Sequence, residues 1–213
     1  MLRSSLFVSI SFLLIPLIGQ AGATIEGHVD LPKAPTAAVM NQRYEVITNG
    51  GVVSINPPLA VVYLEGNFPA TDTPKTEQMA QRNFTFLPAV LAIRTGTRVE
   101  FPNEDNAYHN IFSYSPPKRF DLGRYRTDER PVPSEVFDKP GLVTLRCDIH
   151  EHMRAIILVL DTPHFVLSDT AGNFRLTDLP PGRYTLKAWL NSKTTLEHAV
   201  EIQADSTLRS DFP

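Results

Sequence analysis

Leu142-Val143-Thr144-Leu145-Arg146-Cys147-Asp148-Ile149-His150-Glu151-His152-Met153-Arg154-Ala155-Ile156-Ile157-Leu158-Val159-Leu160 reads as a strand, a short polar loop and a second strand. Both flanking runs are short, apolar and rich in β-branched residues, a strand signature. Runs of the same kind lie upstream at Ala60-Val61-Val62-Tyr63-Leu64, Val90-Leu91-Ala92-Ile93 and Thr97-Arg98-Val99-Glu100-Phe101, closed by turn residues drawn from 18 prolines and 11 glycines. Many short strands with frequent turn signals specify an all-β chain built of sandwiches, not a helical or α/β fold. Only Thr76-Glu77-Gln78-Met79-Ala80-Gln81 reads as a turn or two of helix, in a polar connection.

The loop inside that opening stretch carries chemistry. Cys147 is the single cysteine, and His150 and Met153 follow it at C-x-x-H-x-x-M spacing. Two histidines and a thiolate in a trigonal set, with a long axial methionine, form the ligand set of a blue copper site. The second imidazole must come from His28, His109, His164 or His198. His109 stands out, because a turn, a strand and a polar loop (Thr95 to Asp105) precede it and Asn110-Ile111-Phe112 follow. A strand-borne histidine meets the Cys147 loop if their strands are neighbours in a sandwich. A lone cysteine is ordinarily a small buried hydrophobe, and Met153 alone reads equally as core. The other three histidines are expected on the surface, His152 pointing outward, and Glu104 and Asp105 as solvated loop charges. Zinc is disfavoured, since a thioether is a soft ligand that suits copper better.

Near the start of the chain stand Arg3, an apolar run from Leu6 to Ile18 and the small residues Ala21-Gly22-Ala23. Residues 1–23 are therefore expected to be a secretory leader, leaving Thr24 as the mature N-terminus in the periplasm or another exported location. The run is short for a bilayer span and is interrupted by Pro16, so no stable membrane span is expected after cleavage. One cysteine makes no internal disulfide, and stability falls to the hydrophobic core. A net charge of −3 without a basic stripe argues against nucleic acid as a partner.

Residues 83–161 resemble the cupredoxins. Gly96-Thr97-x-Val99-x-Phe101-x-Asn103-x-Asp105 followed by His109-Asn110-Ile111-Phe112 is similar to their first-ligand region, and Lys139-Pro140-Gly141 through Cys147 to their strand into the ligand loop. The loop spacing is similar to that of amicyanin. The resemblance implies a Greek-key sandwich over 75–161 and one type 1 copper per chain. It implies His109, Cys147 and His150 as the strong ligands, Met153 as the axial one, and an Asn110 side chain tying the first-ligand strand to the loop at Asp148.

Ser168 to Trp189 has the form D-x-x-G-x-F-x-L-x-x-L-P-P-G-x-Y-x-L-x-x-W from Asp169 onward. Gly172 and Pro181-Gly182 make turns, and Phe174, Leu176, Tyr184 and Leu186 alternate inward at period two. This resembles the latter half of a carboxypeptidase regulatory-like, transthyretin-type or Ig-like sandwich, whose earlier strands match Ile25-Glu26-Gly27-His28-Val29 and Pro57 to Gly66. The expected layout is residues 24–74 and 162–213 as one smaller sandwich interrupted by the cupredoxin, with 36–56 as a long loop.

The function expected is one-electron transfer between redox proteins such as a dehydrogenase and a cytochrome, without enzymatic chemistry. Copper storage or delivery uses the same ligands. A carbohydrate- or surface-binding sandwich would need an exposed aromatic platform, whereas Trp189 reads as a strand residue.

Overall fold

A computed structural model describes residues 22–32, 58–68 and 75–213. Residues 1–21, most of the expected leader, and the expected loop 36–56 lie outside the described residues. The described chain is all β. Its strands are β1 (Ala23–His28), β2 (Val61–Glu65), β3 (Thr76–Gln78), β4 (Ala80–Arg82), β5 (Thr85–Leu87), β6 (Val90–Arg94), β7 (Thr97–Glu100), β8 (His109–Ser115) and β9 (Lys118–Tyr125). They continue with β10 (Ser134–Phe137), β11 (Gly141–Arg146), β12 (Arg154–Leu160), β13 (Phe165–Leu167), β14 (Asn173–Leu179), β15 (Gly182–Asn191), β16 (Thr194–Ile202) and β17 (Thr207–Arg209).

Four sheets stack face to face, with the β4–β5 hairpin beside them. In order through the stack they are β14-β1-β17, β13-β2-β15-β16, β6-β12-β11-β8-β9 and β10-β7-β3. Three apolar cores fill the gaps. The first holds Ile25, Val62, Leu64, Phe174, Leu176 and Leu186, the second Val61, Val90, Ile156, Leu158 and Trp189, and the third Phe101, Ile111, Phe137, Val143 and Ile157.

Period-two alternation explains the middle sheets. In β12, Ala155, Ile157 and Val159 face the third core, while Ile156, Leu158 and Leu160 face the second. A strand buried on both faces must be apolar throughout, which is why this run shows no polar alternation. Trp189 lies 5% exposed between the two middle sheets, far from the exposed platform a surface-binding module would need.

Strands from both ends of the chain share sheets. β1 pairs with β14 and in parallel with β17, and β2 pairs with β13 and β15. Ala23, the last residue of the expected leader, is buried and paired with Leu179, so cleavage after it would remove the first residue of β1. Gly172 adopts φ 89°, and a Cβ there would lie 2.2 Å from the Val29 carbonyl oxygen. The turn before β14 therefore depends on glycine.

The helix expected at Thr76–Gln81 is absent; the segment forms β3 and β4. β3 pairs in parallel with β7 from Thr76↔Arg98 to Gln78↔Glu100, and Met79 and Gln81 are fully buried at alternate positions. Pairing with the β7 edge, with every second side chain turned inward, outweighs the local helical preference of the polar residues.

Candidate metal centre

β8 and β11 are neighbours in the five-stranded sheet, with Arg146 opposite Phe112. That adjacency places the start of β8 beside the end of β11. His109, the first residue of β8, is fully buried, and Cys147, one step past β11, is 4% exposed. The chain then turns tightly, the Met153 N–H donating to the His150 carbonyl at 2.9 Å, and enters β12. This turn brings His150 back over Cys147.

The donor atoms converge. His109 Nδ1 lies 3.0 Å from His150 Nδ1, His150 Nδ1 lies 3.8 Å from Cys147 Sγ, and all three atoms fall within 4.8 Å of one another. Imidazole and thiolate ligands bind a transition metal at about 2.0–2.3 Å, so atoms this close can share one ion. Met153 is 1% exposed and belongs to the same apolar cluster as Cys147. His152 stays out of the donor set, half-buried with its ring 6.1 Å from that of His150.

Hydrogen bonds around the donors hold the loop. Asn110 Oδ1 accepts the Asp148 N–H at 2.7 Å, and its Nδ2 donates to Asp121 Oδ1 at 3.2 Å. One side chain thus ties β8 to both the Cys147 loop and β9. Arg124 of β9 closes the loop from outside, donating to the Asp148 carboxylate at 2.8 Å. Burial, followed by the neighbouring His109 and His152, pushes the His150 pKa below the usual histidine value. The ring is accordingly biased toward the neutral form that binds metal.

Asp105 is not a solvated loop charge. Its side chain is 10% exposed and meets His109 Nε2 at 2.9 Å. Its two oxygens also accept the Asn83 N–H at 2.7 Å and the Phe84 N–H at 2.9 Å. Burial alone would raise the Asp105 pKa, but these hydrogen bonds, with His109 among their donors, outweigh it and hold the carboxyl below its ordinary value. The loop beneath is rigid: Asn103 Oδ1 accepts the Asp105 N–H, and Asn103 Nδ2 donates to the Ala107 and Tyr125 carbonyls. Glu104 pairs with Arg82 at the surface, as its expected exposure implies.

Phe84, at the tip of the β4–β5 hairpin, sets its ring edge-on to both His109 and His150, with centroids 5.5 and 5.0 Å away. Phe84, Leu87, Tyr108 and Ile149 are large apolar side chains at least 39% exposed, and three of them adjoin the imidazoles in sequence or in space. Neither Phe84 nor Asp105 was legible as a site residue. The Asp105-x-x-x-His109 spacing is visible in the sequence, but only the loop geometry aims the carboxylate at the ring.

The remaining histidines lie elsewhere. His28 approaches Asp30 at 3.2 Å, His198 Nε2 meets Ser210 Oγ at 2.6 Å, and His164 packs on Phe68.

No protein-family model matches the chain, and no curated protein matches it. Among solved structures it is similar to a copper-containing nitrite reductase from Thermus scotoductus SA-01, at 28% identity and TM-score 0.38, over 46% of this chain and 25% of the reductase. It is also similar to a purple cupredoxin from Nitrosopumilus maritimus, at 24% identity and TM-score 0.35, over 39% of this chain and 99% of that one. A reduced amicyanin variant matches at 17% identity and TM-score 0.36, over 40% of this chain and 82% of its own.

Proposed function

We propose that residues 75–161 form a cupredoxin-like blue copper domain that carries single electrons between protein partners in an exported compartment. The observation that carries this reading is the convergence of His109 Nδ1, His150 Nδ1 and Cys147 Sγ within 4.8 Å, with Met153 buried in the same cluster. A thiolate and a thioether added to two imidazoles select copper over zinc or the hard cations. Copper supplies the one-electron couple when bound.

The chain's own residues do the rest. His109, Cys147 and His150 would hold the copper as its strong ligands, with Met153 as a weaker thioether donor. Asn110 and Arg124 immobilise the loop, so the ligands stay in place whichever charge they hold. His150 is half-buried, which leaves it as the route between the centre and solvent, while the apolar side chains of Phe84, Tyr108 and Ile149 offer a docking surface around it. A cytochrome or a dehydrogenase fits as the partner class. The smaller sandwich of β1, β2 and β13–β17 serves as a rigid mount, joined to the copper domain through the Trp189 core.

The test is to load the full chain with Cu(II) and record visible absorption and electron paramagnetic resonance. An intense thiolate-to-copper band that disappears in Cys147→Ser is the expected result. A colourless protein whose copper affinity is unaffected by Cys147→Ser would overturn the reading. Reduction of the coloured form by one cytochrome and reoxidation by another separates a carrier from a copper store.

A further inference from the structure

We propose that Asp105 is a charged positioning residue of this centre. It holds His109 as the Nε2–H tautomer, which leaves Nδ1 bare for the metal, and it biases the bound ion toward its oxidised form. The inference rests on the blue copper reading and adds a residue that the sequence placed in solvent.

The geometry determines where the proton sits. Asp105 Oδ2 and His109 Nε2 are 2.9 Å apart, with the imidazole wholly buried and the carboxylate nearly so. The other partners of that carboxylate are the backbone amides of Asn83 and Phe84, which can only donate. Both residues adopt positive φ, 53° and 59°, so the hairpin tip is bent to aim its amides at Asp105. A carboxylate that accepts from two fixed donors is kept as an acceptor, and the proton it shares with His109 belongs on Nε2. The opposite ring nitrogen then carries the lone pair.

The consequence reaches the second imidazole. His109 Nδ1 lies 3.0 Å from His150 Nδ1. With His109 held as an acceptor on that side, the His150 Nδ1–H is the donor across the gap in the metal-free protein. Of the two imidazoles, His109 is therefore ready to bind, while His150 must shift its proton to Nε2, and the Cys147 thiol gives up its proton to solvent on binding.

The electronic effect follows from the same contact. A carboxylate behind an imidazole ligand raises the basicity of the ring and sets the ligand's tautomer. Its negative charge acts through a buried region where electrostatic interactions are stronger than in water. Added negative charge stabilises the more highly charged oxidised ion over the reduced one, and the midpoint potential is lower than it would be with a neutral partner at position 105.

The experiment uses the full chain and its Asp105→Asn variant, with two readouts. In metal-free, nitrogen-15-labelled protein, the wild type should show a slowly exchanging His109 Nε2–H and an unprotonated Nδ1. Asp105→Asn should mix the two tautomers, because an amide can donate as well as accept. In copper-loaded protein, Asp105→Asn should raise the midpoint potential by at least the equivalent of a tenfold change in the oxidised-to-reduced ratio, about 59 mV for one electron. A wild-type His109 protonated on Nδ1 overturns the proposal. So does an Asp105→Asn variant that disturbs only the Asn83 and Phe84 amides while ring signals and potential stay unchanged, which would make Asp105 a clasp for the hairpin. If the wild type yields no thiolate-to-copper band, the blue copper reading falls, and the ring-nitrogen spectra still decide the tautomer.

Discussion

At the residue scale, two side chains outside the donor set give measurable consequences. Asn110 accepts the Asp148 N–H and spans two strands and the ligand loop. Asn110→Ala leaves that amide without its acceptor, which should lower stability by about 1 kcal/mol in urea unfolding and weaken metal binding roughly tenfold through a looser loop. Metal affinity equal to wild type would show that Cys147 and His150 are positioned without it. His164 gives the pH dependence. Burial, followed by nearby Arg94, pushes its pKa below the usual histidine value. The unfolded chain then binds a proton that the folded chain resists, so this contribution to stability is present above about pH 6.5 and is lost as pH falls through the lower folded value. In the metal-free protein His150 acts with the same sign. His164→Gln should therefore reduce, without abolishing, the loss of stability between about pH 7 and 5, read as unfolding midpoints across that range. An unchanged slope would mean that the His164 shift has no weight in the fold.

At the element scale, β12 links two of the three cores. It pairs with β11 on one side and with β6 in parallel on the other, and its two faces enter different cores. Ile156→Ala opens a cavity in the core between the middle sheets, on the face turned away from the ligands. It should destabilise the chain by roughly 2–5 kcal/mol while leaving the visible spectrum of the copper-loaded protein unaltered. A shifted band would show that the packing between the sheets reaches the centre. β12 was legible because a continuous apolar run of strand length admits few other readings. β3 and β4 were not, because Thr76 to Gln81 mixes polar residues with Met79 and Ala80, β4 pairs with the following β5, and β3 takes its partner from β7, further along the chain. Local propensity could not name that partner.

At the scale of the whole molecule, the stacking of four sheets with a shared middle core ties the two sandwiches together. Trp189 is the chain's only tryptophan and sits in that core, so its fluorescence reports the junction and nothing else. Unfolding followed by Trp189 emission and by far-ultraviolet circular dichroism should coincide in one cooperative transition. An early fluorescence change, with most β signal retained, would show that the sandwiches separate before they melt. The stack also fixes the half-buried His150 edge relative to the second sandwich, which under the proposed electron-transfer role would give a partner one defined surface.

The all-β class, the strand positions of β2, β6, β7, β11 and β12, and the Cys147-His150-Met153 spacing were determined by the sequence alone, because period, turn residues and donor spacing are local properties. The registers in which β1 and β2 pair with β14 and β15, the burial of Trp189 between sheets and the turn of Asp105 onto His109 were decided only by the tertiary structure. Each depends on which distant strand supplies the partner for an open edge or a buried polar atom. That choice is made by the packing of the whole chain, and no window of neighbouring residues contains it.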